Sequence, residues 1–333
     1  MKIAVLGCGA IGGLFLGYLQ NEDVDIIGVV RDYQKSAIDK EGLLIEGLAG
    51  HQKIMVNTVT RLTQKVDLAV FACKINDLEM MIDDNLNYLK DAVVVSTQNG
   101  VYADHILKKY FIPEKIITGS VMFGATFYPP NKVVHNFPGE LVVGNMFNAP
   151  IEALTSQIDV LRKVFRVSLS PNIKGAKYLK VFVNLNNCLP AILGKSIQET
   201  YADIDMARLA ILLNREAYSV VQKAGVVLEN IPNYPKERLE GLLRMTIDDA
   251  AAILSKTMVG LSKEPLYGSI LQSIQRSKKS EIDYINGEIV RLARENGFNA
   301  PLNEQIVDLV HDVEDAGAFL AKRDLEAILE GEL

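Results

Sequence analysis

The sequence predicts an α/β protein in two parts: a doubly wound parallel sheet first, then a mainly α-helical domain. Three features carry that expectation. Short apolar runs alternate with helical patterns through the first half, a glycine-rich turn follows the first run, and strand-like segments stop after Pro171. The runs at 2–6, 24–30, 67–72, 92–96, 115–119 and 120–126 are the strand candidates, and β-α-β alternation of this kind builds a parallel sheet covered by helices on both faces. Segments 131–134 and 141–143, with Pro138-Gly139 between them, read as an antiparallel hairpin at the sheet edge, and 166–170 as a last strand.

Beyond 173 the pattern is helical: 178–193, 198–224, 234–258, 280–296 and 303–329 read as helices, with the acidic tail 326–333 as a fraying end. The expected domains are therefore 1–172 and 173–333. At 333 residues the chain accommodates two ordinary domains.

Composition excludes several classes. A net charge of −6 with both signs dispersed argues against a nucleic-acid footprint, which needs a basic patch. No apolar run reaches the roughly 20 residues that span a bilayer, and the start lacks the regions of a signal peptide; a cytoplasmic location is expected. Cys8, Cys73 and Cys188 are far apart and the four histidines are scattered, so neither a disulfide framework nor a metal site is expected. The long apolar helices suit a homodimer as well as one intramolecular core.

Gly7-Cys8-Gly9-Ala10-Ile11-Gly12 has G-x-G-x-x-G spacing. The spacing alone is common; placed between a strand and a helix, with a second strand beyond, it is the fingerprint of a Rossmann-type dinucleotide site. Gly7 permits the tight turn, Gly9 lets the backbone approach a pyrophosphate, and Gly12 lets helix and strand pack closely. The helix start, with Ala10 and Ile11, offers N–H groups and a partial positive charge to the phosphates. At the end of the second strand, where NAD binders place an acid, stands Arg31. It is placed for a 2′-phosphate, which favours NADPH, or it is a solvated surface arginine; the adjacent Asp32 blurs the choice.

Two further strand ends lead into Lys74 and into Thr97-Gln98-Asn99-Gly100, at the sheet edge where open α/β folds bind ligands. Asn99-Gly100 also suits a plain turn. In the second domain Lys180 and Asn184 are one turn apart among apolar neighbours, so Lys180 either snorkels to the surface or has a function. Ser269 and Glu281 follow, the latter within SEIDYING at 280–287.

Taken together, VLGCGAIGG at 5–13, CK at 73–74, QNG at 98–100, K-x-x-x-N at 180–184 and SEIDYING at 280–287 resemble the motifs of the ketopantoate reductase (2-dehydropantoate 2-reductase) family over nearly the whole chain. The resemblance implies an NADP-binding first domain and a substrate-binding, catalytic second domain. It implies that Gly7, Gly9, Gly12 and Arg31 hold NADPH, that Lys74 contacts cofactor and substrate, and that Asn99 orients the nicotinamide end and the substrate. It also implies that Lys180 is the general acid, that Asn184 and Ser269 bind the 2-oxo acid, and that Glu281 grips a substrate hydroxyl and positions Lys180. That chemistry is coherent, since hydride addition to a carbonyl builds negative charge on oxygen that an ammonium stabilises and protonates. A Lys180–Glu281 ion pair without catalytic function remains an alternative.

One departure stands out. The family's second substrate amide, one turn beyond Asn184, corresponds to Cys188, which would continue the Lys180–Asn184 face as a substrate-binding position or simply pack. A thiol replaces an amide poorly, so the exact 2-oxo acid stays open. The leading expectation is reduction of 2-dehydropantoate to pantoate with NADPH, on the route to coenzyme A. The alternatives are reduction of another bulky 2-oxo acid and a dinucleotide sensor without turnover.

Overall fold

The structure is a computed structural model that describes residues 1–22, 24–48 and 50–329. It divides into two compact units, Met1–Ala176 and Lys177–Leu333.

The first unit runs β1 (Lys2–Leu6), α1 (Ala10–Gln20), β2 (Asp25–Val29), α2 (Asp32–Glu41), β3 (Leu43–Gly47), β4 (Gln52–Ile54), β5 (Thr58–Val59) and β6 (Leu68–Phe71). It continues through α3 (Leu78–Leu89), β7 (Val93–Ser96), α4 (Tyr102–Tyr110), β8 (Ile116–Val121), β9 (Gly124–Tyr128), β10 (Lys132–Phe137), β11 (Glu140–Gly144), α5 (Thr155–Arg162) and β12 (Arg166–Leu169). The main sheet has the order β12-β11-β8-β7-β6-β1-β2-β5. Its central strands are parallel and β11 pairs antiparallel with β8. From β5 to β8 the chain order is 3-2-1-4-5-6, the Rossmann arrangement. Strands β6 (LAVF) and β7 (VVVS) are buried along their whole length, which is why they read as unbroken apolar runs rather than alternating ones.

A second sheet, β4-β3-β10-β9, corrects the expected edge hairpin. Strand β10 pairs with β9 and, in parallel, with β3, whereas β11 belongs to the main sheet. Pro138-Gly139 thus carries the chain from one sheet to the other; a Cβ at Gly139 would lie 2.2 Å from the Met122 carbonyl. The run 120–126 is likewise divided, ending β8 at Val121 and opening β9 at Gly124. The alternating pattern near 131–143 was legible, but pairing with a strand about 90 residues earlier was not. The small sheet seats on α1 at Gly13 and Gly17, one turn apart. Added Cβ atoms there would meet Val133 Cγ2 at 2.6 Å and Ile45 Cδ1 at 2.3 Å.

Helix α6 (Ile173–Leu185) crosses the boundary of the units. The second unit then holds α7 (Cys188–Leu193), α8 (Ile197–Tyr201), α9 (Ile204–Lys223), α10 (Lys236–Arg244), α11 (Ile247–Val259), α12 (Ser269–Ile274), α13 (Asn286–Glu295), α14 (Pro301–Ala316) and α15 (Lys322–Leu329). Helix α9 packs against α11, α13 and α14.

Each long helix expected here is in fact two elements, and local capping explains most of the breaks. Asp203 accepts a hydrogen bond from the Asp205 amide at the start of α9, and Thr246 does so from Asp249 at the start of α11. Caps of this kind stabilise a new helix start by about 1 kcal/mol. Gly317, at φ 63°, ends α14. Residues 282–284 form a short 3-10 turn before α13. Residues 330–333 of the expected fraying end lie outside the described residues. No helix of the described residues is long and apolar enough to cross a membrane.

Candidate functional site

In the first unit the turn after β1 is built as its glycines require. Gly7 has φ +90°, and a Cβ there would lie 2.5 Å from the Cys73 amide nitrogen; at Gly12 it would lie 2.2 Å from the Gly7 carbonyl oxygen. Gly9, which precedes α1, has nothing within 4 Å of its Cβ position. The turn is therefore tight on the protein side and open where a pyrophosphate would approach, with the N–H groups of Ala10 and Ile11 in the first helical turn. The buried Gln34 of α2 donates to the Cys8 carbonyl at 3.0 Å and fixes the turn from behind. Cys8 itself is a core residue whose thiol burial pushes well above its usual pKa.

Registers place three loops at one edge. Leu6 is level with Phe71, and Phe71 with Ser96, so the glycine turn, Lys74 and Asn99 all follow the C-terminal ends of neighbouring parallel strands. The crevice lies beside β1 and β6, where the strand order reverses. Sequence reasoning missed the residue that joins the loops. Gln98, buried, donates through Nε2 to the carbonyls of Phe71 (3.0 Å) and Cys73 (2.9 Å), stitching the Lys74 loop to the Asn99 loop. Asp104, fully buried, accepts hydroxyl hydrogen bonds from Ser96 (2.7 Å) and Thr118 (2.8 Å) and anchors the end of β7. Lys74 and Asn99 are half-buried.

Arg31 precedes α2, with its side chain 61% exposed and its guanidinium on Asp77 Oδ2 at 3.1 Å. An exposed pair of this kind holds the arginine by at most about 1 kcal/mol. A phosphate can therefore take it over.

In the second unit Lys180 is half-buried on α6, with Asn184 one turn on. Burial pushes its ammonium pKa down, the Lys177 cation lowers it further, and Glu281 opposes both; the result is about 8. Lys177, one turn before Lys180 and only 2% exposed, escaped the sequence reading because nothing in AKYLK marks it as buried. Glu281 is half-buried at the start of the 3-10 turn, between the buried Ser280 and Ile282. Ser269 is exposed and opens α12, whose preceding Gly268 packs on the Asn187 side chain.

The expected continuous helix over 178–193 is broken at Asn186-Asn187, and this changes the reading of Cys188. The Asn187 amide turns back to the Asn184 carbonyl at 3.0 Å. Asn186 is held at its carbonyl by the Tyr201 hydroxyl (2.5 Å) and at its side chain by Asn214 (2.6 Å). Cys188 opens the next helix, α7. It is fully buried, donates to the Leu185 carbonyl at 3.1 Å and faces the Asn286 amide at 3.7 Å; burial pushes its thiol up to about 12. The thiol is a protonated core group. Two surface clefts, about 430 and 360 Å³, are lined by Tyr18, His135 and Lys163 and by Gln20, Asp39 and Asn57 among others, and none of the residues above lines either.

The Rossmann order and the glycine turn define a dinucleotide-binding class of fold, and the family matches make it one of oxidoreductases. Residues 3–148 match the family model "Ketopantoate reductase PanE/ApbA", and residues 172–314 match its C-terminal counterpart; the chain belongs to the ketopantoate reductase family. It is 30% identical over 326 residues to the 2-dehydropantoate 2-reductase of Pyrococcus horikoshii, covering 95% of this chain and 99% of that protein. To the enzyme of the same name from Pyrococcus abyssi it is 29% identical over 309 residues, covering 91% and 94%. Among solved structures, a PanE/ApbA family ketopantoate reductase from Ralstonia eutropha superposes with TM-score 0.80 at 25% identity, over 95% of this chain and 99% of that one. A D-mandelate dehydrogenase with NADH and anilino(oxo)acetate shares the fold at TM-score 0.82 and 24% identity, over 95% and 99%.

Proposed function

We propose that this protein reduces 2-dehydropantoate to pantoate with NADPH, a step toward coenzyme A. The observation that carries the reading is Lys180: a half-buried ammonium, one turn from Asn184, held near pKa 8 by burial, Lys177 and Glu281. A general acid works best with a pKa near the working pH, and a free lysine near 10.4 is too high. The relatives named 2-dehydropantoate 2-reductase support the substrate.

In this reading Gly7, Gly9, Ala10, Ile11 and Gly12 bind the pyrophosphate, Arg31 the 2′-phosphate, and Lys74 and Asn99 the nicotinamide end. A nicotinamide bound there would supply the hydride. Lys180 hydrogen-bonds the carbonyl oxygen, stabilises the charge that develops there and gives it a proton. Asn184 and Ser269 hold the 2-oxo acid, Ser269 near the carboxylate. Glu281 accepts from a substrate hydroxyl and orients Lys180. Cys188, buried and protonated, takes no part.

The thiol at position 188, where the family pattern has an amide, favours a second reading as well. Without an amide at that position the site loses a hydrogen-bonding group, and such groups set discrimination between analogues. Another bulky 2-oxo acid is the alternative substrate. Steady-state kcat/KM for 2-dehydropantoate against 2-oxoisovalerate, with NADPH, separates the two; equal values would exclude the first.

Arg31→Ala is expected to weaken NADPH binding by ~10–100-fold, the worth of a charge-assisted hydrogen bond to phosphate, and to leave NADH binding nearly unchanged. Fluorescence titration with both cofactors measures this, and equal losses would contradict the 2′-phosphate role.

A further inference from the structure

Glu281 lies in a turn whose two flanks are tied to one face of α14. Before it, the Ser280 amide donates to Glu314 Oε1 at 2.8 Å. After it, Asp283 Oδ1 lies 2.9 Å from His311 Nε2. His311 and Glu314 are three residues apart on α14 and in contact, with His311 Nδ1 at 3.3 Å from Glu314 Oε2. One imidazole thus stands between two carboxylates. A neutral imidazole has a single N–H. With the two carboxylates ionised, it would satisfy one contact and set its other lone pair against the second. Only the imidazolium donates to both.

Of the remaining charges around His311, Asp315 favours the imidazolium and the Lys279 cation opposes it. Lys279, at the head of the same turn, reaches Glu314 Oε2 at 3.4 Å and Asp315 Oδ1 at 2.5 Å. The Glu314 side chain is 3% exposed, so its charge depends on these partners. Burial works against its ionised form, but the hydrogen bonds from Ser280 and the His311 cation outweigh burial and hold it below the usual carboxylate range. Burial likewise opposes the His311 cation, and the Asp283 and Glu314 contacts overcome it and raise its pKa.

We propose that His311 and Glu314 are positioning residues that hold the Glu281-bearing turn, and that the clamp is complete only while His311 is doubly protonated. The link to catalysis rests on the role given to Glu281 above; the clamp on the turn does not. Because the folded-state pKa of His311 is raised, the clamp is complete below the ordinary histidine pKa and is lost as pH rises through the folded value.

Hydrogen exchange tests this on the full chain, followed by mass spectrometry in the peptide spanning 279–285 and corrected for the intrinsic pH dependence of exchange. In the wild type, protection is expected to fall ~10-fold or more as pH rises through the His311 titration. His311→Gln, neutral at every pH, is expected to show the low protection throughout. His311→Arg, permanently charged, is expected to restore protection and remove its pH dependence. Glu314→Gln, which keeps an acceptor for Ser280 but loses the charge, should lower protection in part.

In turnover, His311→Gln is expected to lower kcat by ~3–10-fold with NADPH KM unchanged, as for a misaligned catalytic group, and His311→Arg to recover most of it. Exchange that is pH-independent and equal in wild type and His311→Gln overturns the proposal, as does a His311→Gln protein destabilised uniformly with unchanged kcat. A wild type that turns over no 2-oxo acid overturns the reductase reading alone, since the exchange result decides the clamp without substrate.

Discussion

Lys180→Ala is expected to lower kcat by ~10²–10⁴-fold while leaving NADPH affinity nearly unchanged, the usual range for loss of a general acid. The lysine acts on developing charge at the carbonyl oxygen, so its loss falls on the transition state rather than on cofactor binding. The pH profile gives the same assignment an independent check. The acid must be protonated, so kcat/KM is expected to fall as pH rises through about 8, the value to which burial and Lys177 bring the ammonium against the pull of Glu281. Lys177→Met removes the neighbouring cation, raises the Lys180 pKa and moves this limb to higher pH. Glu281→Gln removes the opposing charge and moves it to lower pH. An alanine variant with unchanged kcat would exclude the role, and a limb that ignores both substitutions would assign the titration to another group.

Gly12→Ala is expected to strike both stability and cofactor binding. Its Cβ would lie 2.2 Å from the Gly7 carbonyl oxygen and 3.1 Å from Ala72 Cβ. The first of these atoms is backbone, so α1 or the turn must move. Overpacking of this kind costs about 1–3 kcal/mol, a fall in Tm of about 2–10 °C for a unit of this size. NADPH affinity falls as well, because the displaced turn no longer presents its N–H groups to the phosphates. Gly9→Ala separates the two effects. Its Cβ meets nothing within 4 Å, so Tm is expected to hold while NADPH affinity drops. Thermal unfolding and fluorescence titration on both variants decide the matter, and a Gly9→Ala protein that binds NADPH like the wild type would remove the pyrophosphate from this turn.

The sequence by itself determined the Rossmann-type sheet, the helical second part and the family, and it singled out the glycine turn, Lys180 and Glu281 as candidates. These rest on local signals: apolar runs long enough to be strands, glycines at fixed spacing, and short motifs in a fixed order. It also showed that Cys188 departs from the family pattern, but not what the thiol does.

Tertiary structure decided the rest, because each remaining point depends on groups distant in the chain. Strand β10 pairs with β3 rather than with β11, a choice made by packing on Gly13 and Gly17 of α1. The helix break at Asn186-Asn187 is held by Tyr201 and Asn214, and the Cys188 thiol just beyond it is fully buried. Gln98 is an ordinary polar residue until its amide is seen to join two loops, and Lys177 an ordinary charge until its burial is known. Spacing along the chain fixes which residue types share a helix face. Burial and electrostatic field are sums over neighbours from the whole fold, and they set which of those residues carry a shifted proton.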